Sequence, residues 1–129
     1  MPQNNPRQYS QQVVHFLRKR LTYTDRGVAV TVGVVPAGSV ILKPISGVNI
    51  HTAFNGTGTD LIDIGTSGTA DLFATDLAGQ TVGFAPCDEA VSFYVAADTT
   101  ITATYADQNS DATAGEAQVV IAYVPNTDG

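Results

Sequence analysis

Apolar and polar residues alternate along most of the chain from residue 28 onwards. Between residues 28 and 34, valine occupies every even position, and Ala, Thr and Gly lie between the valines. Successive side chains of a β-strand point to opposite faces, so this run predicts a strand with Val28, Val30, Val32 and Val34 on one face. Similar runs separated by turn-forming residues cover residues 39–45, 48–54, 60–64, 81–85, 89–96, 99–106 and 116–124.

The spacing of these runs indicates the fold class. About eight strands at roughly 10–12-residue intervals, without a long helix, are typical of an all-β antiparallel sandwich or jelly roll. We expect less than about one-tenth of the chain to be helical. The strand faces predict a shared core, made of Val30, Val32, Ile41, Ile50, Phe54, Ile64, Phe93, Val95, Ile101, Tyr105, Val119 and Ile121.

Two segments lack a clear period of two. Residues 70–79 are compatible with a single helical turn or an irregular crossover. In residues 12–23 the spacing of the apolar residues fits one helical face, whereas the β-branched and aromatic content fits a strand. We favour an extended arm or first strand there. Residues 1–9, which are rich in Gln, Asn and Pro, predict a tail that is either mobile or ordered by a partner. The expected domains are therefore an N-terminal basic arm at 1–23 and a β-sandwich at 24–129.

Composition excludes several other classes of protein. A chain of 129 residues with 43% hydrophobic and 14% charged residues fits one compact domain and excludes a disordered chain or a charge-rich helix bundle. Its apolar runs fall short of the roughly 20 residues of a membrane span, so no membrane partner is expected. The N-terminus has no apolar stretch of signal-peptide type, so we expect synthesis in a cytoplasm.

Charge is divided unevenly along the chain. Every cation lies within the first 43 residues, at Arg7, Arg18, Lys19, Arg20, Arg26 and Lys43. With Asp25 as its only acid, that segment carries +5, whereas residues 44–129 carry −11. This asymmetry predicts a basic arm on an acidic body. The alternative is that the six cations fell into one segment by chance. An acidic body repels phosphate, so nucleic acid is not an expected partner.

Candidate catalytic groups are sparse. A single Cys87 with His15 and His51 cannot build a disulfide or a closed zinc site. Cys87 precedes two acids that raise its pKa, which favours a buried structural thiol. Asp60 and Asp63 flank a short strand at an odd spacing, so they should lie on opposite faces and not act as a carboxylate pair. The Gly-rich residues 55–60 and 65–69 lack the lysine of a phosphate-binding loop. We therefore predict no enzyme activity, catalytic residue or cofactor.

One acidic segment resembles the opening of a calcium loop. Asp107, Asn109 and Asp111 follow the first positions of an EF-hand loop, but Ala112 and Gln118 stand where that loop needs Gly and Glu. A polar turn is the default interpretation, and an adventitious calcium site is the alternative.

Four segments resemble small virion proteins of tailed bacteriophages. They are residues 32–41 (VGVVPAGSVI), 48–57 (VNIHTAFNGT), 61–66 (LIDIGT) and 115–126 (GEAQVVIAYVPN). In some phages, proteins of this kind are jelly-roll cement or decoration proteins on the outer capsid, often dimers or trimers. The resemblance implies a virion protein that binds the major capsid protein and reinforces the head. It supplies no catalytic residues.

A phage head-fibre or tail component, or another β-sandwich module that binds the host surface, is the alternative function. The lack of Trp and the ten Phe and Tyr residues weaken glycan recognition, which usually uses aromatic platforms. Burial of apolar side chains should fix the arm on the capsid protein or an adjacent copy, with the cations setting encounter and register. The predicted partner contacts are Arg7, Val13, Phe16, Leu17, Arg18, Lys19, Arg20 and Leu21.

Overall fold

Ten antiparallel strands form the part of the chain that the computed structural model describes, residues 14–125. They are β1 (His15–Thr22), β2 (Ala29–Val35), β3 (Ser39–Ile41), β4 (Gly47–Thr52), β5 (Asp60–Thr66), β6 (Ala74–Ala78), β7 (Gly83–Pro86), β8 (Tyr94–Val95), β9 (Thr99–Asp107) and β10 (Glu116–Val124). Short 3-10 turns at Tyr23–Asp25 and Lys43–Ile45 supply the helical content, and within residues 14–125 no helix could cross a membrane. The predicted all-β antiparallel sandwich is confirmed, with ten strands where about eight were expected.

The strands form two sheets. In the first sheet, β10 pairs with β1 along one side and with β4 and β3, placed end to end, along the other. Beyond these, β7 pairs with β4 and β8 pairs with β3. The second sheet has the order β2-β9-β5-β6. β1 packs near β2 and β6 near β7, so these pairs mark the two opposite sides of the sandwich.

The core lies between the sheets and matches the predicted set closely. Every predicted core residue is buried except Val30, which is half-buried and packs against the others. Aromatic rings from different segments of the chain meet inside. The ring centroids of Phe54 and Tyr105 lie 4.5 Å apart, and those of Phe73 and Phe93 lie 5.1 Å apart. Because apolar burial is the main driving force for folding, this shared core holds the two sheets together.

A β-bulge in β2 corrects the predicted face of one valine. Thr31 pairs with Thr102 and Gly33 with Ile101, so β2 has one extra residue between these pairs. The extra residue reverses the alternation beyond it. Val34 is consequently 50% exposed, whereas its neighbour Val35 is fully buried. The prediction that Val34 shares a face with Val32 is wrong for this reason.

A second bulge explains why the strand at residues 74–78 was not predicted. Ile62 pairs with Leu77 and Ile64 with Ala74, so between these pairs two residues of β6 oppose one residue of β5. Asp76 takes up the extra residue with a left-handed φ of 56°. Ala74 and Leu77 both face the core at a spacing of three, which imitates a helical turn in the sequence. The expected helical turn or irregular crossover is therefore corrected to an edge strand.

Two predicted strands are shorter than expected. The strand predicted over residues 39–45 stops at Ile41, because Pro44 has no N–H to donate and lies in the Lys43–Ile45 turn. The strand predicted over 89–96 is reduced to Tyr94–Val95.

Polar groups fasten one end of the sandwich. The carboxyl of Asp60 is only 1% exposed, and it accepts hydrogen bonds from the Tyr105 hydroxyl and from Gln80 Nε2, the latter at 2.8 Å. Gln80 Nε2 also donates to the backbone oxygens of Gly56 and Gly58. The same end holds an ion pair between Arg26 Nε and the buried Asp107 Oδ2 at 3.7 Å. These contacts satisfy buried polar groups that would otherwise destabilise the fold.

The predicted basic arm overlaps the first strand. β1 pairs with β10 through eight residues, from His15 opposite Tyr123 to Thr22 opposite Glu116. Leu21 is fully buried, and Leu17 approaches Gly33 of β2 so closely that a Cβ there would lie 3.0 Å from its methyl groups. The boundary at residue 23 stays a prediction. A domain starting at residue 24 would lack the β1 ladder and Leu21.

The β2 bulge can be tested with two adjacent valines. Val35→Ala should lower the free energy of unfolding by about 1.5–3 kcal/mol, because it removes buried methyl groups and leaves a cavity. Val34→Ala should change it by less than about 0.5 kcal/mol, as expected of an exposed position. Urea unfolding of both variants measures the difference. Equal effects would contradict the observed bulge.

Candidate interaction surface

The predicted partner-contact residues lie mainly on β1, at the edge of the first sheet. Arg7 and Val13 fall outside the described residues. Phe16, Arg18, Lys19 and Arg20 are exposed on the strand. Leu17 and Leu21 point inwards, where Leu21 belongs to the core and Leu17 packs against it. The inward pair anchors β1 and thereby holds the exposed residues in fixed positions.

The side of the first sheet that points away from the core, here called the outer face, is rich in exposed apolar residues. In one row across three strands, Tyr94 pairs with Val40 and Val40 with Val124. These side chains are 55%, 45% and 37% exposed. Paired residues of neighbouring antiparallel strands point to the same side, so the three form a continuous row.

Phe16 and Val120 extend this apolar row towards β1. Phe16 is opposite Ala122 and is 55% exposed, and Val120, opposite Arg18, is half-buried. Phe16, Arg18, Gln118 and Val120 line a shallow groove on the outer face. An apolar surface of this kind on an isolated chain is typical of an interaction site.

The second sheet has a different exterior. Thr31, Thr100 and Thr104 occupy its outward positions on β2 and β9, and Val34 is the half-exposed valine among them. Exposed apolar side chains are therefore concentrated on one of the two sheet surfaces of the described chain.

The cations of the first 43 residues separate into two groups. Arg20 pairs with Glu116 across the first sheet, next to Arg18 and Lys19. Arg26 instead belongs to the fold, since its guanidinium donates to the backbone oxygens of Ser110 and Ala112. Lys43 likewise lies in the body, with Nζ 5.6 Å from the centre of the Phe93 ring. A charge count along the sequence could not distinguish these roles.

Carboxylates cluster around β5 and β6, on the side of the sandwich opposite β1. Asp63 of β5 and Asp76 of β6 lie together, with the Asp76 N–H donating to Asp63 Oδ1 at 2.7 Å. Partial burial raises the pKa of Asp63 above its ordinary value, and the charges of Asp76, Asp71 and Asp88 raise it further. We call Asp63, Asp71, Asp76 and Asp88 the acidic edge. The sequence pattern does not reveal this cluster, because the pairing of β5 with β6 and the hydrogen bond from the Thr75 N–H to Asp88 Oδ1 bring these residues together.

The pair Asp60 and Asp63 is separated as predicted. Asp60 faces the core, while Asp63 is half-buried on the other face of β5.

The calcium-like segment, residues 107–111, uses its side chains in loop contacts. Asp107 Oδ2 accepts from Ala112 N at 2.9 Å, and Asp111 Oδ1 accepts from Thr57 N at 2.8 Å. Hydrogen bonds from Thr57 lower the pKa of Asp111.

The remaining candidate groups have structural positions. Cys87 is buried, and that burial raises the pKa of its thiol to about 12, with the charge of Asp88 adding to the effect. His15 stacks on Tyr123 with ring centres 5.6 Å apart, whereas His51 is exposed on β4. Among residues 14–125, no three His, Cys, Asp or Glu side chains come together as metal ligands.

Cys87 should be unreactive in the native protein. With its pKa raised to about 12, the thiol holds almost no reactive thiolate at pH 8. We expect no reaction with a disulfide reagent until the chain unfolds, and then one thiol per chain. Absorbance of the released thiolate measures this. Rapid reaction of the folded protein would contradict the buried position.

Asp63→Asn should stabilise the protein at neutral pH. The raised pKa means that the folded state disfavours the charged carboxylate, so the native protein takes up a proton before the unfolded chain as the pH falls. The gain from Asn should therefore be largest above the folded-state pKa and disappear below the unfolded one. Asn retains an oxygen to accept from the Asp76 N–H. Unfolding across pH, with Asp98→Asn as the control, tests this, and a variant less stable at neutral pH would contradict it.

Comparisons with known proteins concern the fold. No protein-family model matches the chain, and no curated protein matches it. It is similar to a chain in the acidic stable capsid structure of Helicobacter pylori bacteriophage KHP30, with a TM-score of 0.66 and 12% identity over 86% of each chain. It is also similar to a chain in the capsid asymmetric unit of cyanophage Pam1, with a TM-score of 0.60 and 20% identity over 88% of this chain and 85% of that one. The chain therefore shares its fold with chains found in phage capsids.

Proposed function

We propose that this chain is a structural virion protein that decorates the outside of a phage head. It binds the major capsid protein through the outer face of the first sheet and stabilises the shell by bridging subunits. The observation that carries this proposal is the apolar row of Tyr94, Val40 and Val124, exposed on a domain whose fold occurs in phage capsids. The resemblance of its strand and turn segments to virion proteins supports the same role.

Apolar contact supplies most of the proposed attachment. Fully burying a large aliphatic or aromatic side chain contributes roughly 1.5–3 kcal/mol, whereas an exposed ion pair contributes about 0–1 kcal/mol. Phe16 and Tyr94 are each 55% exposed, so both have apolar surface left to bury against a partner. Aromatic residues of this kind often dominate the energy of an interface.

The strand β1 gives this surface its rigidity. Leu17 and Leu21 fix β1 on the core, and the β1–β10 ladder holds Phe16 and Arg18 at defined positions. A preorganised surface loses less conformational entropy on binding than a flexible arm does. The cations of β1 then contribute to encounter and orientation, as exposed charges commonly do.

Two valines on the two sheet surfaces provide the test. Val40→Asp introduces a charge into the apolar row of the outer face, and Val34→Asp introduces the same charge on the exterior of the second sheet. Heads of the encoding phage prepared without this protein are mixed with each purified variant, then sedimented and imaged by cryo-electron microscopy. We expect Val40→Asp to lose about tenfold or more in affinity for the heads, the equivalent of about 1.4 kcal/mol, and Val34→Asp to bind as the unaltered protein does.

Three outcomes would overturn parts of the proposal. Normal occupancy with Val40→Asp, together with loss for Val34→Asp, would assign docking to the second sheet. Density at the tail or at fibres and none on the head would favour the tail or host-binding alternative. An unaltered protein that binds no part of the particle would refute a virion role. Circular dichroism of both variants checks that each is folded.

A further inference from the structure

We propose that the pocket between residues 66–73 and residues 92–100, here called the end pocket, binds an uncharged saccharide. The ligand would be a short glycan that is recognised through its hydroxyl groups. This inference concerns a small-molecule site and does not depend on how the chain attaches to a particle.

The end pocket lies where strands of both sheets stop, at the end of the sandwich away from Asp60. β5 ends at Thr66, which is opposite Ile101 of β9, and the chain then turns towards β6. The edge strand β8 of the first sheet borders the same space. The pocket has a volume of about 480 Å³, within the range of roughly 300–1,000 Å³ that is typical of small-molecule sites.

Hydroxyl groups make up most of the polar lining. They belong to Thr66, Ser67, Ser92, Tyr94, Thr99 and Thr100. Within residues 14–125, the side-chain hydroxyls of Ser67, Tyr94 and Thr100 take part in no hydrogen bond. A hydroxyl both donates and accepts hydrogen bonds, as each hydroxyl of a sugar also does. These three groups are therefore available to a ligand of the same chemistry.

The charge of the lining disfavours an anionic ligand. Among the lining residues in the described chain, Asp98 alone is charged. Its Oδ1 accepts from the Ala37 N–H at 2.8 Å, and Asp98 takes part in neither of the ion pairs found in residues 14–125. A carboxylate repels phosphate and sulfate groups, but it accepts strong hydrogen bonds from neutral hydroxyls. The end pocket therefore favours a neutral ligand.

Apolar surface lies beside these hydroxyls. Phe73 and Val95 are buried at the base of the pocket, and the ring of Phe73 packs against Phe93. At the rim, Tyr94 is 55% exposed and adds an aromatic ring with a polar tip. A sugar ring has faces of C–H groups and an edge of hydroxyls, so it can contact both kinds of surface at once.

The small number of aromatic residues in the sequence does not reveal this site. Tyr94 approaches Thr66 and Thr100 only because the ends of both sheets meet around the pocket. One ring therefore contributes to sugar recognition together with several hydroxyls, and a broad aromatic platform is not needed.

Nuclear magnetic resonance tests the site directly. Isotope-labelled full-length protein is titrated with lactose, maltose, cellobiose, chitobiose and mannobiose, and then with sulfated forms of the same sugars. We expect at least one neutral disaccharide to shift the backbone amide signals of residues 66–73 and 92–100, with a Kd of about 1 mM or lower. The sulfated form of that sugar should bind more weakly, because Asp98 repels its charge.

Two substitutions remove single polar groups from the end pocket. Thr100→Val removes a hydroxyl at nearly constant shape, and Asp98→Asn removes the charge while it retains an oxygen for the Ala37 N–H. Each should weaken sugar binding by about threefold or more, as expected for the loss of one hydrogen bond. Thr104→Val is the matched control, because it removes a hydroxyl from the same face of β9 outside the pocket.

A third substitution blocks the end pocket. Ser67 is exposed, so Ser67→Tyr should fill the space without changing the melting temperature much. We expect the sugar-dependent shifts to disappear in this variant. In the assay with phage heads, Ser67→Tyr should bind as the unaltered protein does, so this proposal and the proposed function can fail separately.

Several results would refute the saccharide site. They are the absence of shifts with every neutral sugar, tighter binding of the sulfated forms, and equal binding by the Thr100→Val, Asp98→Asn and Thr104→Val variants. Shifts confined to Val40 and Tyr94 would place the sugar on the outer face and would also contradict the end pocket.

Discussion

A buried carboxyl group sets the arrangement of one whole end of the molecule. Asp60 is 1% exposed, and a buried carboxyl without partners would destabilise the fold by several kcal/mol. Tyr105 and Gln80 satisfy it from β9 and from the turn after β6. Gln80 at the same time fixes the loop of Gly56 and Gly58. The requirement to satisfy one carboxyl therefore couples two strands of the second sheet to the loops that close the sandwich.

The outward surfaces of the two sheets take no part in these internal contacts. The polar end is committed to internal hydrogen bonds, and the core is committed to holding the sheets together. Exposed apolar residues concentrate on the outer face of the first sheet, whereas the acidic edge lies around β5 and β6. The outer face and the acidic edge are therefore separate surfaces of the molecule.

Much of the fold could be predicted from sequence, because successive side chains of a strand point to opposite faces and the apolar ones mark the buried face. Residues such as Ile50 and Ile121 are buried where the period of two places them. The prediction failed where a bulge interrupts that period, at Val34 and at Asp76. The surface was harder to predict. Asp63 and Asp88 are distant in sequence and become neighbours only in the folded chain. Leu21 and Phe16 both belong to β1 and differ in burial because they lie on opposite faces of the strand.

The pairing of β1 with β10 joins residues near the two ends of the described chain, such as His15 and Tyr123. A ribosome releases β1 long before β10 exists, so the first strand must wait until residues 116–124 have been synthesised before it finds its partner. Loop closure over such a separation is slow compared with local contacts. The sandwich should therefore complete its fold only after β10 has been synthesised. Until then, Phe16 and the inward-facing leucines of β1 are accessible to chaperones and to other nascent chains.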